Sequence, residues 1–420
     1  MDTMNTWILT SSHWDKQAGL HATRLGEIPN MSTDACCLGP NQTPGGIDAL
    51  VDEWSELVTN ANLVTRYNAP ARTVQRIREY SPEGEDACPY VIYGRSGNAR
   101  ALIAGEIKQV NRVSGVGPLA RLMPPLVALE VFETATVMTP GSTPGQLATL
   151  VEAMAGSLLS SGAADILHLH NIEVNSPAAE VFGQPERFGA RGFTEDRVRW
   201  WARLNNPDTG ERILKPSKNA RRHYNKLVRN FDGDAEFTTI TTIDQVDEFA
   251  TAAASIVTQT YQAAIGVGAK DTPAYRALLA EMAEAGSLRG YLITGRNEPI
   301  AYVLGDRWGH TFSLWALSFL PQYGHLSPGT VAVRKAMESL ADEGVVDFDF
   351  GWGDAEYKRR YGDRLVDEID FVCYSRRVGP STEYGINRFL GAAKSTADKI
   401  LTRLGIRDKI RKLLRSRQAS

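Results

Sequence analysis

Apolar and polar positions change period most clearly between residues 311 and 361. Residues 311–320 form an aromatic and apolar run that Pro321 ends, the pattern of a strand. Residues 322–329 follow as a glycine- and proline-bearing loop. Ser327 stands there as N-cap, and Pro328 takes the first helical position, where a missing N–H costs nothing. Val331, Val333, Ala336, Met337 and Leu340 then recur at helical spacing over 330–343, and Gly344 stops the helix. Residues 345–350 return as a strand, and a polar segment with two tyrosines occupies 351–362.

The same periods recur upstream. Ile47, Leu50, Val51, Trp54, Leu57 and Val58 give an apolar helical stripe, and a second helix is expected over 72–80. Residues 89–94 and 100–107 read as a hairpin joined at 96–98, 124–132 as extended, 146–160 as helix and 166–172 as strand. Beyond an Asn-Asn-Pro-Asp-Thr-Gly linker at 205–210 come a strand at 237–240, helices at 243–262 and 275–284, and a hairpin of 288–294 with 299–306. Helices, hairpin, helix and strand thus occur twice in one order. That order predicts a mixed α/β fold in two units, 47–204 and 205–378, the first a degenerate copy of the second. Residues 1–46, rich in Ser, Thr, Asn, Gly and Pro, read as a poorly ordered lead-in, with Trp7, Ile8 and Leu9 a short docking strand.

Composition narrows the class. With 420 residues, 43% apolar and 23% charged, the chain has the make-up of a soluble two-domain globular protein. A formal charge of −3 advertises no nucleic acid partner. No run of 18 apolar residues occurs and the first residues lack a signal-peptide pattern, so the cytoplasm is the expected compartment. Cys36, Cys37, Cys88 and Cys373 lack metal-ligand spacing and read as reduced thiols. The tail is different. Residues 381–420 hold ten Lys or Arg against three Asp or Glu, with an apolar side, a pattern that fits peripheral contact with an anionic membrane or packing on the protein's own body. Gly391 and Gly405 favour the second.

Three patterns bear on chemistry. His168 and His170 share one face of a strand, but no third or fourth ligand lies near them in sequence. A half-exposed strand face explains them, and no metal is expected. Six basic residues run from Lys215 to Arg229, among them Lys218, Arg221 and Arg222, and all but Lys215 sit on one short helix capped by Ser217. A solvated face and a contact for an anionic group explain them about equally. The loop at 322–329 opens a helix, and such a loop points backbone N–H groups and the positive dipole end at one spot, which suits a phosphate. It contains neither a dinucleotide-binding fingerprint nor a Walker lysine.

Leu326-Ser327-Pro328-Gly329 before the helix and Asp347-Phe348-Asp349-Phe350-Gly351-Trp352-Gly353-Asp354-Ala355-Glu356-Tyr357-Lys358 after it resemble the C-terminal half of a GNAT-superfamily acyltransferase of the CelD, cellulose-biosynthesis-associated type, related to the FemAB peptidyltransferases. The likeness covers roughly 205–378, with a fainter echo from 48 to 204. It implies two tandem GNAT-like domains, of which the second transfers an acyl group, acetyl in the first instance, from acyl-CoA to an amine. The implied acceptor is an amino sugar or another envelope or exopolysaccharide precursor.

The resemblance also implies roles. A backbone N–H among Leu317, Ser318 and Phe319 meets the developing oxyanion, and Gln322, Gly324, His325, Ser327 and Gly329 belong to the loop that holds the pyrophosphate. Tyr357 protonates the leaving thiolate, with Tyr361 one turn on. Asp354, ahead of Asp349 and Glu356, accepts the amine's proton, although Asp354 also competes as a helix N-cap. Lys358 holds an anionic substrate or the transition state, and Lys218, Arg221, Arg222 and Trp352 face the acceptor. The loop departs from the usual GNAT spacing of Arg or Gln, two residues, Gly, one residue, then Gly or Ala, and Pro328 removes a donor. This leaves room for a bulkier acyl donor, for FemAB-like transfer from aminoacyl-tRNA, or for a scaffold without catalysis.

Overall fold

A computed structural model describes residues 5–10, 21–24, 52, 54–57, 87–96, 98–110, 125–132, 136–138, 143–188, 191–264 and 268–386. The helix expected at 72–80, most of the stripe at 47–58, Cys36, Cys37 and the tail from 387 onward lie outside these residues. The chain divides into two compact units, Met1–Arg197 with Asp367–Ser420, and Val198–Val366.

In chain order the strands are β1 (Asn5–Thr10), β2 (His21–Arg24), β3 (Ala87–Ser96), β4 (Ala99–Val110), β5 (Leu126–Phe132), β6 (Thr136–Met138), β7 (Ile166–Glu173), β8 (Gly192–Arg203), β9 (Ala235–Ile240), β10 (Leu288–Gly295), β11 (Glu298–Trp308), β12 (Thr311–Phe319), β13 (Asp347–Trp352) and β14 (Arg364–Tyr374). The helices used below are α1 (Pro144–Ser161), α2 (Pro177–Phe182), α3 (Lys218–Asn230), α4 (Val246–Val257), α5 (Pro273–Glu284), α6 (Pro328–Asp342) and α7 (Glu356–Tyr361).

The first unit is a mixed sheet in the order β2-β1-β3-β4-β5-β7-β14, with β6 also on β4. Its hairpin closes where expected, with Ser96 opposite Ala99. Two stretches of the expected lead-in, 5–10 and 21–24, are strands, and the first pairs along β3. A reciprocal Thr143–Gln146 capping box starts α1, and Gly162 at φ 84° ends it. Its buried face, Leu147, Leu150, Val151, Met154 and Leu158, joins the core of β3, β4 and β7. Gly94 admits this close approach, because a Cβ there would lie 2.6 Å from the Met154 sulfur.

β7 corrects one expectation. His168 is buried, so its face is not half exposed. The sequence neighbours offered no partners, but the sheet supplies two. Glu130 pairs opposite His168 from β5, and Asp370 approaches from β14. Burial opposes ionisation of Asp370, yet the nearby His168 imidazole, a bond from the Asn171 N–H and the Arg197 guanidinium bring its carboxyl down to about 2.

The second unit has the strand order β8-β13-β12-β11-β10-β9. β9 to β12 form an antiparallel meander, and β12 runs through α6 to the parallel β13. The β10–β11 turn uses Arg296 and Asn297, both at positive φ, the conformation that a two-residue hairpin demands. β11 is buried from Ile300 to Asp306 because helices cover both faces. Ile300, Ala301 and Val303 pack with Val331, Val333, Ala336 and Met337 of α6, while Tyr302 and Leu304 pack with Phe249 and Ile256 of α4 and Leu279 of α5. Gly344, at φ 80°, ends α6 as the sequence predicts, and the buried Asn205 amide bonds the carbonyls of Ala341 and Val345 to fix the turn into β13. Among the described residues no helix is long and apolar enough to cross a membrane.

Candidate functional site

β12 and β13 are paired only at Thr311–Asp347, Phe312–Phe348 and Ser313–Asp349, although β12 continues to Phe319 and β13 to Trp352. Their separation follows a bulge. The register with β11 shifts at Leu304 and Gly305, which leaves Trp315 as the extra residue on β12. Gly305 is needed there, since a Cβ would fall 2.1 Å from the Ser313 carbonyl oxygen. The Trp315 indole N–H donates to buried Asp306 at 2.9 Å, and that of Trp308 does so at 2.8 Å. A bulge bends its own strand. The opening therefore lies at the carboxyl ends of two parallel strands, where α/β sheets bind ligands.

Beyond the bulge the edges of β12 can be assigned. Leu320 donates its N–H to the Ile300 carbonyl, so it faces β11. A residue's N–H and C=O share one edge, and edges alternate. Ser318 therefore also faces β11 and is buried, whereas Leu317 and Phe319 present their N–H groups to the open side. Gln262 marks the same side, its amide nitrogen 3.2 Å from the Leu317 carbonyl. The other amide atom of Gln262, Oε1, is buried without a hydrogen-bond partner. Sequence reasoning missed Gln262, because nothing in a helical segment distinguishes it.

The loop after β12 departs from the expected open cradle. Pro321–Leu326 is a 3-10 turn, and Ser327 adopts φ 58° and ψ 47° with no side-chain cap bond. Ser327 is thus the N-cap by position alone, its backbone turned left-handed to join two helical segments. Gln322 and Tyr323 both bond Glu298, and His325 accepts a Lys226 ammonium bond on its carbonyl at 3.0 Å. With proline at the first position and Val331 already bonded to Ser327, the first turn of α6 offers the Gly329 and Thr330 N–H groups. The Phe319 ring lies over Gly329, where a Cβ would come within 2.9 Å of it, and reaches Gly324. Gly329→Val should cost about 1–3 kcal/mol of stability by overpacking against that ring. Thermal melting reads that loss.

α7 carries the other candidates. Lys358 is buried and donates to the Gly351 and Trp352 carbonyls at 3.0 and 2.6 Å. Burial, helped by the Arg199 charge and opposed by Asp349 and Asp354, pulls its ammonium down to about 8. Asp349 is buried and held by Arg199 at 3.1 Å and by the Gly351 N–H at 2.7 Å. Glycines at positive φ, Gly351 and Gly353, turn the chain there and leave Trp352 68% exposed. Tyr357 packs its ring edge-on against Phe350, and Tyr361 reaches the Thr330 side chain at the start of α6.

Two expected carboxylates are engaged. Asp354 accepts from Arg359 at 2.5 Å and from the Trp200 indole at 3.2 Å, so it is neither an isolated base nor the N-cap, which is Ala355. Glu356 pairs with Arg360. Arg359 and Arg360 of the short α7 supply the charged partners.

α3 begins as predicted, with Ser217 accepting the Ala220 N–H. Lys218, Arg221 and Arg222 are exposed, and the helix packs against α6 and the loop. Burial and the charges of Arg222, Arg360 and Lys226 lower the pKa of His223, so α3 and α7 contribute to one positive field.

No curated protein matches the chain. The solved structures that resemble it include FemX, with a TM-score of 0.46 and 11% identity over 69% of this chain and 88% of that one. The C-terminal domain of a putative lysylphosphatidylglycerol synthetase from Agrobacterium fabrum has a TM-score of 0.42 and 13% identity over 77% and 92%. A conserved protein of unknown function from Bacteroides thetaiotaomicron has a TM-score of 0.41 and 14% identity over 68% and 86%. Residues 215–359 match the model of the acetyltransferase (GNAT) domain, and the divergent strands, the loop, α6 and Lys358 all fall within that C-terminal domain.

Proposed function

We propose that the second unit is an N-acyltransferase of the CelD type, moving an acyl group from acyl-CoA to the amine of an amino-sugar or exopolysaccharide precursor. The observation that carries this reading is the opening between β12 and β13, with the Leu317 N–H on its edge, inside the region matched to the GNAT domain. In the reaction the amine nitrogen attacks the thioester carbonyl, the C–S bond breaks and the thiolate takes a proton. The Leu317 N–H meets the oxyanion as it forms, Gly329 and Thr330 hold a donor phosphate, and Tyr357 gives its proton to the thiolate. Lys358 supplies positive charge at the end of β13. Asp354, already held by Arg359 and Trp200, orients the acceptor's amine, and the amine reacts as its free base with its proton passing to water. Trp352 and the basic face of α3 receive the precursor.

A second reading has one observation in its favour. The first turn of α6, with proline at its first position, stands beside a helix with five basic side chains, an arrangement that also suits aminoacyl-tRNA. Thiol release from a panel of acyl-CoAs, measured with amino-sugar acceptors, separates the two. Saturable, amine-dependent release supports the first. Aminoacyl-tRNA binding that falls steeply with salt, without thiol release, supports the second. Absence of both leaves a scaffold. Tyr357→Phe keeps the ring against Phe350 and should lower kcat about 10²-fold with donor binding unchanged.

A further inference from the structure

We propose that the first unit holds a divalent transition metal ion of the Zn²⁺ kind between Glu130, His168 and His170, with Asp370 behind the two imidazoles. Glu130 lies opposite His168 in the parallel β5–β7 register, and His170 stands two residues along the same face. The His168 Nδ1 atom is 3.1 and 3.2 Å from the two Glu130 carboxylate oxygens, and the His170 Nε2 bonds the same carboxylate. Their donor atoms all lie within 4.8 Å of one another. Ligands about 2.0–2.1 Å from a tetrahedral Zn²⁺ stand about 3.3 Å apart, so an ion needs only small shifts of these side chains. Two imidazoles and one carboxylate are a donor set for Zn²⁺ or Fe²⁺ that leaves a coordination position open.

The surroundings fit the same assignment. Asp370 is 3.8 Å from His168 Nε2 and 3.9 Å from His170 Nδ1, the ring nitrogens turned away from Glu130. A carboxylate on that side is what orients metal-bound imidazoles. Asp370 is itself fixed by Arg197 at 2.7 Å and by the Asn171 N–H at 2.9 Å. The rings are 3.6 Å apart between centroids, and Phe132 stacks on His170 at 4.7 Å. The His170 side chain, 19% exposed against 7% for His168, gives an ion its way in. All ligands sit on strands, so the ion would pin β5 to β7, and Asp370 would add β14.

The full chain, stripped with a chelator and titrated with Zn²⁺ or Co²⁺, tests this without any assay of acyl transfer. The expected result is one equivalent retained per chain and a rise in melting temperature with Zn²⁺. Co²⁺ should give a visible d–d spectrum without the thiolate band that cysteine ligands would bring. Glu130→Gln and His170→Gln should each weaken binding about 100-fold or more, and Asp370→Asn by about 10–100-fold. If the unaltered chain retains no metal, or if the Glu130 and His170 variants bind as it does, the cluster is a hydrogen-bonded network and the site is wrong.

Discussion

Lys358→Met should lower kcat by about 10²- to 10⁴-fold while leaving the second unit folded, because it removes a buried charge from the end of β13 and keeps the chain's volume. An ammonium has three donors, and Gly351 and Trp352 take two of them, which leaves one to aim at a ligand. With its pKa at about 8, Lys358 is mainly charged at neutral pH and loses its charge just above. Activity that depends on the charged form should fall as pH rises through 8, and Lys358→Met should abolish that limb. A lysine that only filled space would leave both kcat and the limb in place.

Stability supplies an independent reading of the same residue. Between about 8 and its ordinary 10.5, Lys358 holds a proton in the unfolded chain that it lacks in the folded one. Stability conferred by this group therefore rises with pH across that window, by an amount on the order of 3 kcal/mol, and is absent below it. Urea unfolding at pH 7.5 and 10 should show that rise in the parent chain and not in Lys358→Met. Other groups titrate over the same range, so the difference between the two proteins is the quantity that tests the claim.

The second unit was legible because its elements carry local signals. Pro321 and Gly344 bracket the loop and α6, and the period change at 345 announces β13, so the strand–helix–strand order could be read without any tertiary contact. The conformation of Ser327 was not legible. A serine before proline at a helix start looks like a cap, and only its junction with a 3-10 turn forces it left-handed. Contact chemistry was hidden for a similar reason. Asp354 looked like a base because its neighbour is glycine, but Trp200, 154 residues away, and Arg359, one helical turn on, claim its oxygens. His168 and His170 looked like a half-exposed face because Glu130 and Asp370 come from strands 38 and 200 or more positions away, a separation that no local pattern encodes. Arg199 gave no signal at all within the arginine-rich stretch that contains it.

That last residue carries the second large effect. Arg199→Met should destabilise the second unit by about 3–5 kcal/mol, because it leaves Asp349 ionised, buried and without its main counter-charge. The two side chains are 5% and 2% exposed and 3.1 Å apart, so water cannot replace the lost partner. The Gly351 N–H still reaches Asp349, and Lys358 is near enough to be influenced by it, which keeps the cost below that of an isolated ion. Arg199 also lies over the Trp201 ring at 5.7 Å, a contact that methionine keeps only in its apolar part. Arg199→Met with Asp349→Leu should recover most of the loss, since removing both charges removes the desolvation cost with them. A double-mutant cycle by urea unfolding measures the coupling. The pair also bears on chemistry. Arg199 lowers the Lys358 pKa, so Arg199→Met should move the descending limb of activity to higher pH even as the fold weakens. A loss below about 1 kcal/mol, with the limb unmoved, would mean that the ion pair and the lysine act separately.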